Sequence, residues 1–177
     1  YENEIATNYN IQLARKIALN SAYGAIGNQY FRYYDVRQAE GITKAGQLTI
    51  RWIENDVNDF LNKTLHTKDI SYVVASDTDS IYIRLGEFVN KVFKDQSDRK
   101  KIVKVLEKFC DEKLQPFINI SFQNLANYVN AFQQKMIMKR EVIANKGIWT
   151  SKKRYILNVL NDEGLTLNEP KLKIMGI

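Results

Sequence analysis

Residues 74–81, VASDTDSI, place two carboxylates one residue apart, Asp77 and Asp79, between an apolar run and a second one at Ile81-Tyr82-Ile83. Like charges that close disfavour each other's ionisation unless a cation or a hydrogen-bonded turn compensates them. Two chemistries fit the pattern. One is a hard divalent cation, magnesium or manganese, held by carboxylate oxygens; the other is a polar turn in which each aspartate caps backbone amides. A calcium loop does not fit, because counting from Asp77 the fifth residue is Ile81, the sixth Tyr82 rather than glycine, and the twelfth Phe88 rather than glutamate.

A second set lies in KIALNSAYG, residues 16–24. On a helix Lys16, Asn20 and Tyr23 fall at i, i+4 and i+7, so an ammonium, an amide and a ring share one face, with Gly24 beside them leaving room for a ligand. That face suits a triphosphate with its adjoining base, and the plain alternative is a solvated polar helix face. Gly24 to Gly27 is too short for a dinucleotide fingerprint, and no GxxxxGK phosphate loop is present. The third set is WTSKKRYIL, residues 149–157, where Lys152, Lys153 and Arg154 adjoin Tyr155 at the start of a strand. Such a cluster grips a nucleic-acid backbone by charge and packing, or else is a solvent-facing basic turn. The single histidine, His66, sits in the polar stretch LHTKD and reads as surface; Cys110, on an apolar stripe beside Phe109, reads as buried rather than reactive.

The elements that must position these groups follow from periodicity. Residues 8–24 suit a helix with a mixed stripe of Ile11, Ala14, Arg15, Ala18, Leu19 and Ala22, broken by Gly24 and Gly27. Apolar or small residues then recur at Ile42, Gly46, Thr49, Ile53, Val57 and Phe60, the spacing of a long helix packed on one face. Residues 71–75 and 80–84 read as short strands joined by SDTD, a β-hairpin. A second long helical region is expected over residues 98–127, with Ile102, Val105, Leu106, Phe109 and Leu114 on one stripe and a kink or break at Pro116. Residues 135–144 and 154–159 read as further strands, with residues 161–164 as a turn. The order gives an α+β domain with helices on one face of an antiparallel sheet.

Composition bounds the rest. With 177 residues, 45% of them hydrophobic, the chain can bury one good core. No apolar run approaches the roughly 20 residues that span a bilayer, and YENEIATNYN lacks the layout of a signal peptide, so no membrane partner and a cytoplasmic location are expected. One cysteine excludes an internal disulfide and a cysteine-built zinc site. The net charge of +6 is concentrated: from Lys135 to Lys173 there are nine Lys or Arg against four Asp or Glu, and elsewhere 17 against 16. A polyanionic partner would meet the last quarter of the chain. The missing initiator methionine and the apolar ending PKLKIMGI lead to the expectation of an excerpt from something longer.

The three sets together, in this order, resemble the family B DNA-dependent DNA polymerases, most closely the replicative enzymes of T-even-type tailed bacteriophages. KIALNSAYGAIGN is similar to the family's fingers motif K-x-x-x-N-S-x-Y-G, SDTDS to its palm motif D-T-D-S, and KKRY to its primer-contacting K-x-Y motif. FRYYDVRQAEGIT, QLTIRWIENDVNDFL and EPKLKIMGI also resemble the phage enzymes, so the likeness covers essentially the whole chain. It implies a fingers helix at residues 1–30, a palm at 31–147 with long helices on one face of its antiparallel sheet, and a primer-contact region leading to the thumb at 148–177.

The resemblance also implies roles. Asp79 would bind the catalytic metals, two magnesium ions with manganese as the alternative, and Asp77 would be a supporting acid. Lys16 would meet the phosphates of the incoming deoxynucleoside triphosphate; Asn20 and Tyr23 would line the nascent base pair, with Gly24 letting it approach. Lys153 and Tyr155, flanked by Lys152 and Arg154, would hold the primer strand of a primer-template DNA, and Glu141 is a further candidate acid near the metals. A second aspartate, in a motif resembling D-x-x-S-L-Y-P-S, does not occur here, and the residues preceding Asp77 are Ala75-Ser76 where the phage pattern has an aromatic and a glycine. The expected partner is therefore the rest of a polymerase, covalent or as a second subunit, with a sliding clamp expected from the family and the host cytoplasm as location. Two rivals stay open at this point: a glycosyltransferase using Asp77-x-Asp79 for a manganese nucleotide-sugar, and a nucleic-acid-binding module without chemistry.

Overall fold

The computed structural model describes residues 2–93 and 98–176, which divide into two compact units, Tyr1–Leu48 and Thr49–Ile177. In the first unit, helix α1 (Glu2–Ile26) carries the KIALNSAYG face. It does not break at Gly24, because one glycine costs a helix only about 1 kcal/mol and Ala25 and Ile26 continue it. Helix α2 (Val36–Thr64) starts at Asp35, whose carboxylate accepts the Arg37 backbone N–H at 3.0 Å and so satisfies an orphan donor of the first turn. The boundary between the units falls within α2.

The second unit is built on the later half of α2. Its stripe of Ile53, Val57 and Leu61 is completely buried, each side chain contributing about 1.5–3 kcal/mol relative to exposure. Facing it is one long helical run in three parts: α4 (Arg99–Phe109), a π-helical turn at Cys110–Leu114, and α5 (Gln115–Tyr128). Pro116 explains the π turn, since proline has no N–H and its ring clashes with the carbonyl four residues back. Widening the helix, so that the Gln115 N–H reaches the Cys110 carbonyl, accommodates the ring without ending the helix. The two helices meet through the Phe60–Phe117 ring stack, at 4.4 Å, and a hydrogen bond from the Ser121 hydroxyl to the Asp56 carboxylate.

Among the described residues five strands form two antiparallel sheets. The hairpin of β1 (Val73–Asp77) and β2 (Ser80–Ile83) stands alone, and β3 (Val142–Ser151), β4 (Arg154–Asp162) and β5 (Leu165–Met175) form a three-stranded meander. A short helix, α3 (Gly86–Val92), follows β2. The β4–β5 connection is a two-residue turn with Glu163 at φ 47 and Gly164 at φ 90, the left-handed pair that suits a tight hairpin. The architecture is α+β. The strand expected over 135–144 begins only at Val142 and runs on to Ser151; before it, Gln115 Nε2 donates to the Met138 carbonyl at 2.7 Å, and the Arg140 side chain reaches Asn161 and Glu107.

The carboxylate hairpin is fastened directly to α2. Asn58 Oδ1 accepts the backbone N–H groups of Tyr72 at 2.7 Å and Val73 at 3.0 Å, and Asn62 brackets Ile70 through both its amide atoms. Tyr72 is fully buried, with its hydroxyl bonded to Thr67 and Glu87.

Candidate functional site

The register of the first hairpin sorts its residues by face. Ser76 pairs with Ile81 and Val73 with Ile83, and Val73, Ile81 and Ile83 pack into the core with α2 and α5. Asp77 pairs with Ser80 and Ala75 with Tyr82, so these four share the opposite face. The tip is only Thr78 and Asp79, with Thr78 in the left-handed region at φ 53. The Asp79 N–H donates to the Asp77 carbonyl at 2.6 Å and the Ser80 hydroxyl to the same carbonyl at 3.1 Å; the Thr78 hydroxyl donates to the Asp77 carboxylate at 3.0 Å. Among the described residues neither carboxylate accepts a backbone N–H. The turn is thus closed by the Asp77 carbonyl rather than by carboxylate caps.

The donor set is hard oxygen, suited to magnesium or manganese, but partial. Asp77 and Asp79 supply two carboxylates, and no group of three or more metal-capable side chains comes together among the described residues. Asp79 and Glu141 line the same cavity of about 960 Å³, together with Tyr82, Cys110, Arg140 and Trp149. Glu141 is bound there by Lys173 at 2.5 Å, a hydrogen bond that raises the lysine's pKa.

The basic set is also at a hairpin tip. Ser151 pairs with Arg154, leaving Lys152 and Lys153 as the connection, with Lys153 in the left-handed region at φ 65. Lys152, Lys153 and Arg154 are exposed, and Tyr155 is half-buried. The two tips are joined by rings. Tyr82 makes edge contacts with Trp149 at 5.2 Å and with Tyr155 at 5.4 Å. Burial first, then the Tyr155 hydroxyl, push the Tyr82 hydroxyl up to about 12, so it stays protonated throughout the neutral range.

Sequence reasoning missed Tyr82 and Trp149. Alternation along SIYI was a signal for Tyr82, which had to share the face of Ser80. Trp149 had none, because a regular two-residue hairpin closed by Ser151 and Arg154 sets Trp149 opposite Ile156. A bulge between Trp149 and Ser151 shifts it opposite Tyr155 instead.

The third set belongs to the first unit. Lys16, Asn20 and Tyr23 lie on the unbroken helix α1, all exposed, and a side chain added at Gly24 would meet nothing within 4 Å. The ammonium–amide–ring face is therefore formed and open.

Comparison with known proteins gives the context. The family model for DNA polymerase family B matches residues 2–125. The chain is 45% identical over 175 residues to a DNA-directed DNA polymerase of Escherichia phage RB69, covering 94% of this chain and 19% of that protein. It is 42% identical over 178 residues to that of Enterobacteria phage T4, covering 94% and 20%. A DNA polymerase beta of African swine fever virus, isolate Warthog/Namibia/Wart80/1980, is 27% identical over 173 residues. The chain spans about a fifth of the length of the two phage relatives. Neither the nucleotide-sugar reading nor that of a binding module without chemistry is favoured by these matches.

Proposed function

This chain belongs to DNA polymerase family B, and from that premise we propose that it is part of the catalytic core of a template-directed DNA polymerase, extending a primer 3′ end with deoxynucleotides. One observation carries the reading: a carboxylate tip and a cationic tip, the parts needed for metal and primer, are joined through Tyr82 and Tyr155 in one compact unit.

Residues 1–30 are the fingers helix, 31–147 the palm and 148–177 the approach to the thumb; Tyr1, Ile177 and residues 94–97 of that division lie outside the described residues. Asp79 holds divalent metal, with Asp77 supporting it. The two ions, magnesium or manganese, supply activation of the primer hydroxyl and neutralisation of the triphosphate and leaving pyrophosphate. Lys153 and Tyr155 hold the primer strand, with Lys152 and Arg154 adding charge beside them. Lys16 binds the triphosphate, while Asn20, Tyr23 and Gly24 border the base pair. No helix of the described residues is long and apolar enough to cross a membrane, and the site of action is the host cytoplasm. The working partners are the remainder of the polymerase, which brings the second aspartate, and a sliding clamp.

Combining the chain with a polypeptide that carries the D-x-x-S-L-Y-P-S motif tests the reading. Templated extension of a primer is the expected result, and its rate should fall on Lys16→Ala through weaker triphosphate use rather than weaker DNA binding. Sugar-nucleotide binding without primer-template affinity would contradict it.

A further inference from the structure

We propose that Tyr82 and Trp149 are positioning residues, forming with Tyr155 an aromatic hinge-pin that sets the cationic hairpin, and the primer end it holds, at a fixed distance from Asp79. The proposal rests on the polymerase reading and adds to it two residues that touch neither metal nor DNA in that scheme. Among the described residues, the ring contacts between the two hairpins all pass through Tyr82. At about 3.3 Å per residue, Tyr82 stands about 10 Å along the chain from Asp79, and Tyr155 about 7 Å from Lys153. A small rotation at the rings therefore moves the cationic tip by a comparable amount relative to the carboxylates.

Within its own sheet the outer part of the cationic hairpin is braced by β5, Tyr155 pairing with Met175 and Ile156 with Ile174, but neither pair ties it to the carboxylate hairpin. Every β3 residue from Asn145 onward is exposed, Trp149 least clearly at 37%, and the buried residues of the meander are Ile143, Leu157, Val159, Leu160 and Asn161. Trp149, in contrast, is seated. A Cβ built on Gly147 would come within 2.8 Å of both the Trp149 ring and Leu157 Cδ2, so the indole lies back on the bare glycine backbone and against Leu157. A side chain at position 147 would have to displace the indole or the Leu157 methyl from these positions. Ala75, opposite Tyr82 in the ladder, is small and leaves the tyrosine ring free to reach across.

Single-turnover incorporation at saturating primer-template tests this in the active polymerase containing the chain, whether one polypeptide or a complex. Trp149→Ala should lower the maximal rate on the order of a hundred-fold, the cost of a misplacement near 1 Å, while primer-template affinity and apparent triphosphate affinity stay near wild type. Trp149→Phe should restore most of the rate, and Tyr82→Leu should reproduce the loss. Gly147→Ala, which keeps the indole but removes its seat, should also lower the rate; it decides the matter should Trp149→Ala not fold. In a Lys153→Ala background Trp149→Ala should cost only a few-fold, because the tip it positions no longer grips.

A folded Trp149→Ala or Gly147→Ala with full rate overturns the proposal, as does a loss of the same size with and without Lys153. Retained activity in Asp79→Asn would overturn the assignment of Asp79 as metal ligand, and with it the proposal, which measures position from that residue. Loss in Asp79→Asn with a full rate in Trp149→Ala overturns the coupling alone.

Discussion

The two hairpins share a design and differ in what holds them. Each ends in a two-residue tip with a non-glycine residue in the left-handed region, Thr78 in one and Lys153 in the other, and each tip concentrates charge of one sign. The carboxylate hairpin is short, five residues against four, and its back face belongs to the main core, with Asn58 and Asn62 of α2 fixing the chain that leads into it. The cationic hairpin is twice as long, packed at its base and exposed toward its tip. The two aspartates thus sit on a hairpin backed by the core. The cationic tip sits on a longer hairpin that is braced on one side by β5 and meets the carboxylate hairpin through the aromatic rings.

That contrast orders the expected effects. Asp79→Asn should abolish incorporation while leaving primer-template binding near wild type; Asp77→Asn should reduce the rate less, and the reverse order would exchange their roles. Next comes the anchor. Asn58→Ala leaves the Tyr72 and Val73 backbone N–H groups without their buried acceptor and should cost on the order of 3 kcal/mol in chemical denaturation. Ile148→Ala, on the exposed stretch of the other hairpin, should change stability by less than about 0.5 kcal/mol. Equal costs would remove the distinction between a core-backed and a tip-held hairpin.

Lys153→Ala should weaken DNA binding broadly across sequences and lower the salt dependence by about one counterion. An unchanged slope would move the primer grip elsewhere. The smallest effect concerns the core behind the carboxylate hairpin. Burial pushes the Cys110 thiol up to about 11, so at pH 8 it should stay protonated and react with a disulfide reagent only on unfolding. Rapid labelling of the folded protein would show that this core opens.

Much of this was legible in the residues themselves. Helical spacing from Ile42 to Phe60 announced α2, alternation around SDTD announced the first hairpin, and of the second only the strand starting at Arg154 was read, its other arm running on to Ser151 beyond the 135–144 expected. The α+β class followed from the element order. What was not legible depended on contacts between distant residues. Residues 135–141 are not in a strand, and there Gln115 of α5 binds the Met138 carbonyl, a contact between distant residues that a local pattern cannot display. Pro116 announced an irregularity, but its form, a π turn before the proline rather than a kink after it, depends on the helix finding continued burial at Ile118 and Phe122. Nothing in the local pattern marks Asn58 and Asn62 as the residues that hold the chain entering the first hairpin. The Trp149–Tyr155 pairing rests on a bulge with no sequence marker.

Binding of manganese to the active polymerase with primer-template and triphosphate bound, followed through the spectrum of free Mn2+, tests most directly whether the hairpin aspartate is a metal ligand. Asp79→Asn should weaken manganese binding markedly relative to wild type while Lys153→Ala leaves it unchanged at saturating DNA. Equal manganese binding by wild type and Asp79→Asn would contradict the assignment of Asp79 as the carboxylate on which the chemistry turns.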